Sequence, residues 1–442
     1  MHTPEISRRY FLMGTAATVG GLAVAQAPAR RTVSPNEKLN IAGVGVGGKG
    51  GNDIDNVSSE NIVALCDVDD AYAAATYNRY PNAKKYRDFR VMLEKEKDID
   101  AVVVGTPDHL HAVVSMAAIQ LGKHVYCEKP LTHSVYEARA LAEAARNAKV
   151  ATQMGNQGQA SEEARLVCEL IWDGAIGTVR EIHGWSNRYP RISPRGMGRP
   201  EGESPVPETL DWDLWLGPAP FRPYVEGAYL PFVWRGWWDF GSGVLGDIGC
   251  HNFAAIFKAL KLGHPTSAEA TSTGAQCTPE VNAESAPIAS VVRYEFPAVG
   301  DRPAVSLTWY DGGLLPWRPD ELEADREMGG GDGMLYIGDK GKMLNHRLIP
   351  ETRMQEHGKP PEVIPRSPGH YQEWINACKG GEPAGSNFDF AGPLTEVVQL
   401  GNIALRTRKK LLWDGPNMTV TNVPEANAYI NPPYREGWSL GV

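Results

Sequence analysis

Leu39-Asn40-Ile41-Ala42-Gly43-Val44-Gly45-Val46-Gly47-Gly48-Lys49-Gly50-Gly51-Asn52-Asp53 is the stretch that decides how this chain of 442 residues is read. Leu39 to Val44 is a short apolar run of the kind that forms a buried strand, and a glycine turn opening a helix follows it. Gly45, Gly47 and Gly50 give G-x-G-x-x-G in that context. The first glycine permits the tight turn, the second lets backbone approach a pyrophosphate, and the third lets helix pack on strand. Phosphates would rest on the helix N-terminus, where free N–H groups and the helix dipole favour negative charge. Gly43, Gly45 and Gly48 fit the same pattern two residues earlier, but only the first register ends the apolar run at the turn.

Working outward, Asn61 to Asp67 is a second apolar strand ending in an acid, at the distance expected of a ribose-binding carboxylate. Asp67 would accept from the adenosine ribose hydroxyls and repel a 2′-phosphate, which selects NAD over NADP. Ile99 to Val104 is a third buried strand. Its carboxyl end, where ligands of such folds lie, carries Thr106 and Pro107 as cofactor contacts. His109 and His111 follow at two-residue spacing. With no third ligand nearby they read as a helix cap or cofactor wall, His111 on the cofactor side, and no metal site is assigned. Lys123 to Pro130 is the next strand and turn and places Glu128 and Lys129 at the cofactor edge. Ser134 and Glu137 form a capping box before an alanine-rich helix, and Val150 to Asn156 closes the unit. Residues 38–156 are thus an N-terminal Rossmann domain with an open parallel sheet.

Residues 157–442 read differently. Strand signals at 177–188, 268–273, 289–296, 304–309 and 334–337 and helices at 161–173, 369–377 and 393–407 predict a C-terminal α/β domain. Its sheet is large, open and mostly antiparallel, with helices on one side. Tyr189 to Tyr229 is rich in Pro, Gly and Trp and reads as a long ordered loop or lid. The formal net charge of −9 and the absence of a basic stripe argue against nucleic acid as a partner. The six cysteines are scattered without a C-x-x-C pair, so neither a disulfide framework nor a zinc site is expected.

The N-terminus, residues 1–27, resembles a twin-arginine signal. Ser7-Arg8-Arg9-Tyr10-Phe11-Leu12 precedes a weakly apolar Gly/Ala-rich run too short to span a bilayer, and Ala25-Gln26-Ala27 offers a small-residue cleavage site. This implies the Tat export machinery as a partner and a periplasmic or other extracytoplasmic location.

Two motifs complete the reading. Lys129 stands in Glu128-Lys129-Pro130 at a strand end. Asp247-Ile248-Gly249-Cys250-His251 puts an acid and a histidine four apart, on one helix face. With the glycine loop and Asp67, this order resembles the glucose–fructose oxidoreductase/inositol dehydrogenase (Gfo/Idh/MocA) family. The resemblance implies an NAD(P)-dependent enzyme acting on a carbohydrate or cyclitol, often a homo-oligomer. In it Lys129 would lie beside the nicotinamide and the reacting hydroxyl, with Asp247 and His251 flanking that hydroxyl. A secondary alcohol loses a proton as its C–H passes a hydride, so a base near neutrality serves. His251 is the expected base, Lys129 orients the hydroxyl, and Asp247 orients substrate or histidine. An Asp/His metal site is the other reading of this helix and would need further ligands such as Glu181 or His183. Trp234, Arg235 and Trp238, before the helix, and Tyr310 are candidate sugar contacts, the aromatics by stacking on C–H faces.

Export adds a constraint. Free NAD is scarce outside the cytoplasm, and the Tat route carries folded, cofactor-loaded proteins. The expectation is therefore tightly held NAD, regenerated within the site. An NAD-dependent glycoside hydrolase or lyase, using transient oxidation and elimination, meets the same constraint. Exported glycosidases of this superfamily lack the Glu-Lys-Pro lysine, so Lys129 favours the oxidoreductase branch. A non-catalytic NAD- or sugar-binding protein is the remaining alternative.

Overall fold

The computed structural model describes residues 33–188, 195–274 and 278–441. The signal reading of residues 1–27 lies outside them. Six parallel strands form the first sheet: β1 (Asn40–Val44), β2 (Asn61–Cys66), β3 (Lys84–Tyr86), β4 (Ala101–Val104), β5 (His124–Glu128) and β6 (Thr152–Gly155). Their order, β3-β2-β1-β4-β5-β6, is that of a dinucleotide-binding Rossmann sheet. β4, β5 and β6 are buried along their whole length, as strands covered on both faces must be. Local chemistry sets the helix starts. Asp69 and Asp88 accept the first free N–H groups of helices Asp70–Arg79 and Phe89–Lys95. Ser134 and Glu137 make the expected capping box on Val135–Ala148, a device whose loss costs about 1 kcal/mol.

The second sheet has nine strands: β7 (Val179–Ser186), β8 (Ser267–Ser272), β9 (Ser290–Phe296), β10 (Val305–Asp311), β11 (Gly333–Gly338), β12 (Lys342–Leu344), β13 (Arg347–Ile349), β14 (Leu411–Asp414) and β15 (Thr419–Val420). The order is β13-β12-β11-β7-β10-β9-β8-β14-β15. Only β7 and β10 pair in parallel, so the sheet is mixed but mostly antiparallel. Alternation sorts its side chains. Ile182, Leu307, Trp309 and Met334 join the core beneath helices Gly243–Asn252 and Phe388–Thr407. Trp185 and Leu335 face the other way, under Leu322 and Met328 of the loop after β10.

The long helix begins earlier than expected. It runs Phe388–Thr407 from an Asn387 cap, with Pro393 inside it. Proline there removes only the bond to the Asp389 carbonyl, and the helix is held by burial of most of its length. No helix among the described residues is long and apolar enough to cross a membrane.

Candidate functional site

One cleft of about 370 Å³ runs along the carboxyl ends of the parallel strands and under the second domain. Gly45, Gly47, Asp67, Thr106, Pro107, Glu128 and Lys129 all line it, as do Trp234, Arg235, Asp247 and His251.

The glycine loop is built as its spacing demands. Gly45 has φ +73°, and a Cβ on it would come within 2.7 Å of the Thr106 amide nitrogen. Gly50 stands one turn into helix Gly48–Asn56, where a Cβ would fall on the Gly45 carbonyl oxygen. The third glycine therefore lets helix meet turn, and it does not itself face the cleft. Asp67 is buried, and its Oδ2 accepts from the Val46 and Gly47 amides at 2.8 and 3.0 Å. Burial pushes its carboxyl up to about 6. This clamp fixes the carboxylate beside the loop, where a 2′-phosphate would meet like charge. Asp67→Ser is accordingly expected to shift the NADP-to-NAD affinity ratio about tenfold or more toward NADP (about 1.4 kcal/mol), read by calorimetry with each dinucleotide.

Lys49, absent from the sequence reading, also lines this end. Its ammonium pairs with Asp53 and, at 3.0 Å, with Glu128, while the Tyr371 hydroxyl donates to Asp53 at 2.6 Å. Burial, then the Glu128 charge, raises the Asp53 carboxyl against the pull of Lys49. Gln157, just beyond β6, donates to Glu128 at 2.9 Å. The rule that ligands gather at strand ends was the available signal for Gln157; the loop sequence itself was the signal for Lys49.

At the other end, helix Gly243–Asn252 presents Asp247 and His251 one turn apart to Lys129. Lys129 Nζ donates to Asp247 Oδ1, and Arg235 Nε approaches the same oxygen at 3.3 Å. Arg235 is itself stacked, its guanidinium 3.7 Å from the Phe232 ring centre and 4.3 Å from that of Trp234. Burial opposes charge on Asp247, but Lys129 and Arg235 outweigh it and hold the carboxyl well below the usual range. Burial, and then the Lys129 charge, pushes His251 down to about 4, so its imidazole is neutral near pH 7 but a weaker base than the near-neutral one expected. Arg188, bonded to Asp332 at 2.7 Å, adds a further cation on the cleft wall.

Three expected contacts do not reach the cleft. His111 is buried, with Nδ1 2.7 Å from the Pro130 carbonyl and Nε2 2.9 Å from that of Thr106. It braces the two strand-end turns from beneath. Burial disfavours charge on it, yet Cys127, Asp108 and the Pro130 carbonyl outweigh that and raise it to about 10. Two carbonyl acceptors likewise require both ring nitrogens to donate. Trp238 turns into the core and donates its indole N–H to the Asn282 carbonyl at 2.9 Å. Tyr310 lies on the sheet face away from the helices, its hydroxyl 3.1 Å from His183 Nδ1. His183 pairs there with Glu181 at 2.9 Å, so neither joins Asp247 and His251. His109 packs between Trp215 and Phe240. Among the described residues no three His, Cys, Asp or Glu side chains gather as a metal site.

A dinucleotide cleft at Rossmann strand ends, closed by the acid–histidine helix of an open-sheet domain, defines a two-domain nicotinamide-cofactor-binding protein. Two stretches of the chain match models of the Gfo/Idh/MocA oxidoreductase family. Residues 39–156 match its NAD-binding Rossmann fold and residues 193–273 its C-terminal alpha/beta domain. Inositol 2-dehydrogenase of Salmonella typhimurium is 31% identical over 130 residues, 29% of this chain and 38% of the relative. Levoglucosan dehydrogenase of Pseudarthrobacter phenanthrenivorans is 28% identical over 120 residues, 27% of this chain and 30% of the relative. The matched stretch thus spans under half the length of these curated relatives. The WlbA dehydrogenase from Bordetella pertussis, solved with NADH and UDP-GlcNAcA, shares the fold. Its TM-score is 0.59 at 17% identity, over 86% of this chain and 99% of that one. The glycine turn and the Asp67 clamp fit NAD, with the Tyr72 side chain lying over Gly47 and Gly48.

Proposed function

We propose that this chain is an exported NAD-dependent oxidoreductase that oxidises a secondary hydroxyl of a sugar, cyclitol or glycoside. Its NAD is held tightly and restored within the site. The observation that carries the reading is the convergence of Lys129, Asp247 and His251 on the nicotinamide end of the cleft. NAD, when bound, accepts the hydride. The residues supply the rest: Lys129, held by Asp247, donates to the substrate oxygen, and neutral His251 takes the hydroxyl proton as the C–H bond breaks. The relatives' names support a polyol or anhydrosugar type of substrate. The Arg8-Arg9 motif supports export.

The pH profile follows from the low His251 value. A base must be unprotonated, so kcat/KM for oxidation is expected to rise from acid pH through a limb near pH 4 and stay level to neutrality. Substitution of His251 by Asn should remove that limb together with most of the rate.

The direct test uses protein recovered from the extracytoplasmic fraction and purified without nucleotide. A sugar and cyclitol panel is titrated in while reduced-nicotinamide absorbance is followed, and the denatured protein is assayed for released NAD. Stoichiometric NAD that one sugar reduces and a second carbonyl compound reoxidises supports the proposal. An empty site that needs added NAD contradicts tight retention.

A further inference from the structure

Two segments with no part in the chemistry above meet at the adenosine end of the cleft. The first belongs to the Pro- and Trp-rich loop of the second domain. It docks immediately after Asp67: the Asp70 amide donates to Thr209 O at 3.0 Å, and the Asp211 amide to Val68 O at 2.8 Å. Asp211 then caps the short helix Trp212–Leu216, which brings Leu214 and Trp215 to the cleft wall.

The second segment is 430–441. It is tied to the cofactor domain where the Tyr136 amide donates to Ile430 O at 3.1 Å, the Tyr434 hydroxyl bonds Glu137, and Gln120 donates to Gly441 O at 2.6 Å. Arg435 ties it to the first segment. Its amide donates to Pro218 O at 2.9 Å, Nε to Gly217 O at 3.0 Å, and Nη1 to Asp213 Oδ1 at 2.6 Å. The product of this bracing is the position of Trp438. Its ring lies 6.3 Å from that of Phe89, with the Arg90 guanidinium 4.6 Å from its centre, and it lines the same cleft as Asp67 and Leu110.

An indole that lines the same cleft as the aliphatic Leu110 and Leu214 and the Asp67 carboxylate suits a purine base attached to a ribose. We infer that residues 434–438, braced on the Trp212–Leu216 turn, form a clasp over the adenosine end. Trp438 is the adenine contact, and the clasp keeps NAD in place between turnovers. The inference rests on the NAD reading above but not on the substrate or on catalysis.

Trp438→Ala in the full chain tests it, with Trp438→Phe as the conservative variant. Stripped protein is titrated with NAD, AMP and nicotinamide mononucleotide, and melting is followed in parallel. Loss of one base–aromatic stack corresponds to about a ten- to hundredfold weakening. The clasp predicts that loss for NAD and AMP with Trp438→Ala, recovery with Phe, and unchanged mononucleotide binding. An equal loss for all three ligands would mean general damage and overturn the assignment, as would unchanged AMP and NAD affinity. If the unsubstituted protein binds none of the three, the NAD reading falls as well, a result distinct from failure of the clasp alone.

Discussion

In a Lys129→Met variant, sugar-dependent reduction of bound nicotinamide is expected to fall by about 10²- to 10⁴-fold, with NAD occupancy unchanged. The methionine keeps the apolar stem and removes the ammonium that reaches Asp247. Two effects separate here. The catalytic loss comes from an unoriented hydroxyl whose developing charge has lost its donor. A stability loss of about 1–3 kcal/mol comes from leaving a largely buried carboxylate with Arg235 as its remaining cation, because Lys129 and Asp247 are only 13% and 12% exposed in their side chains. Lys129→Met combined with Asp247→Asn removes the stranded charge. The double variant should recover much of the melting temperature and none of the turnover. Wild-type turnover in Lys129→Met would remove Lys129 from the mechanism.

Gly50→Ala should act on cofactor binding instead. The added methyl would fall on the Gly45 carbonyl and approach the Gly105 Cα, both backbone and unable to swing aside. The helix must back away from the turn, at a cost of about 1–3 kcal/mol, and the amides that cradle a pyrophosphate move with it. Co-purified NAD is expected to drop to a minor fraction. Gly263→Ala is the matched control, since nothing lies within 4 Å of a Cβ there. It should keep both melting temperature and NAD. Full NAD occupancy in Gly50→Ala would show that the glycine loop is not the phosphate cradle.

How much of this was legible depends on how local the cause is. The glycine turn, Asp67 and the four-residue spacing of Asp247 and His251 each follow from one short stretch, and the cleft contains all of them except Gly50, whose place is the packing behind it. Strand β4, Ala101-Val102-Val103-Val104 and buried on both faces, announces itself as an apolar run. β3 does not: Lys84-Lys85-Tyr86 is a short edge strand that needs no apolar side chains. The β12–β13 hairpin turns at Asn345, with φ +55°, and is too short to show a pattern. Pro393 hid the first five residues of the long helix, because proline commonly marks a first turn.

Among the aromatics the sequence could not choose. Trp234 and Trp238 stand one short turn apart, yet one faces the cleft and the other the core. Tyr310 was misplaced for a simpler reason. Its strand neighbours Trp309 and Asp311 point under the helices, so alternation sends Tyr310 to the opposite face. Trp438 carried no signal at all, since its place depends on contacts made by residues two hundred positions away.

The most direct test of the central claim, hydride transfer between NAD held on the protein and a carbohydrate hydroxyl, is isotopic. A sugar that reduces the bound nicotinamide is supplied with deuterium on the carbon of each secondary alcohol in turn, and the nucleotide released on denaturation is analysed by mass. The account predicts one deuterium on the nicotinamide ring for a single labelled position, no transfer from the others, and loss of the signal in Lys129→Met. Substrate consumed with no label ever reaching the nucleotide would contradict it.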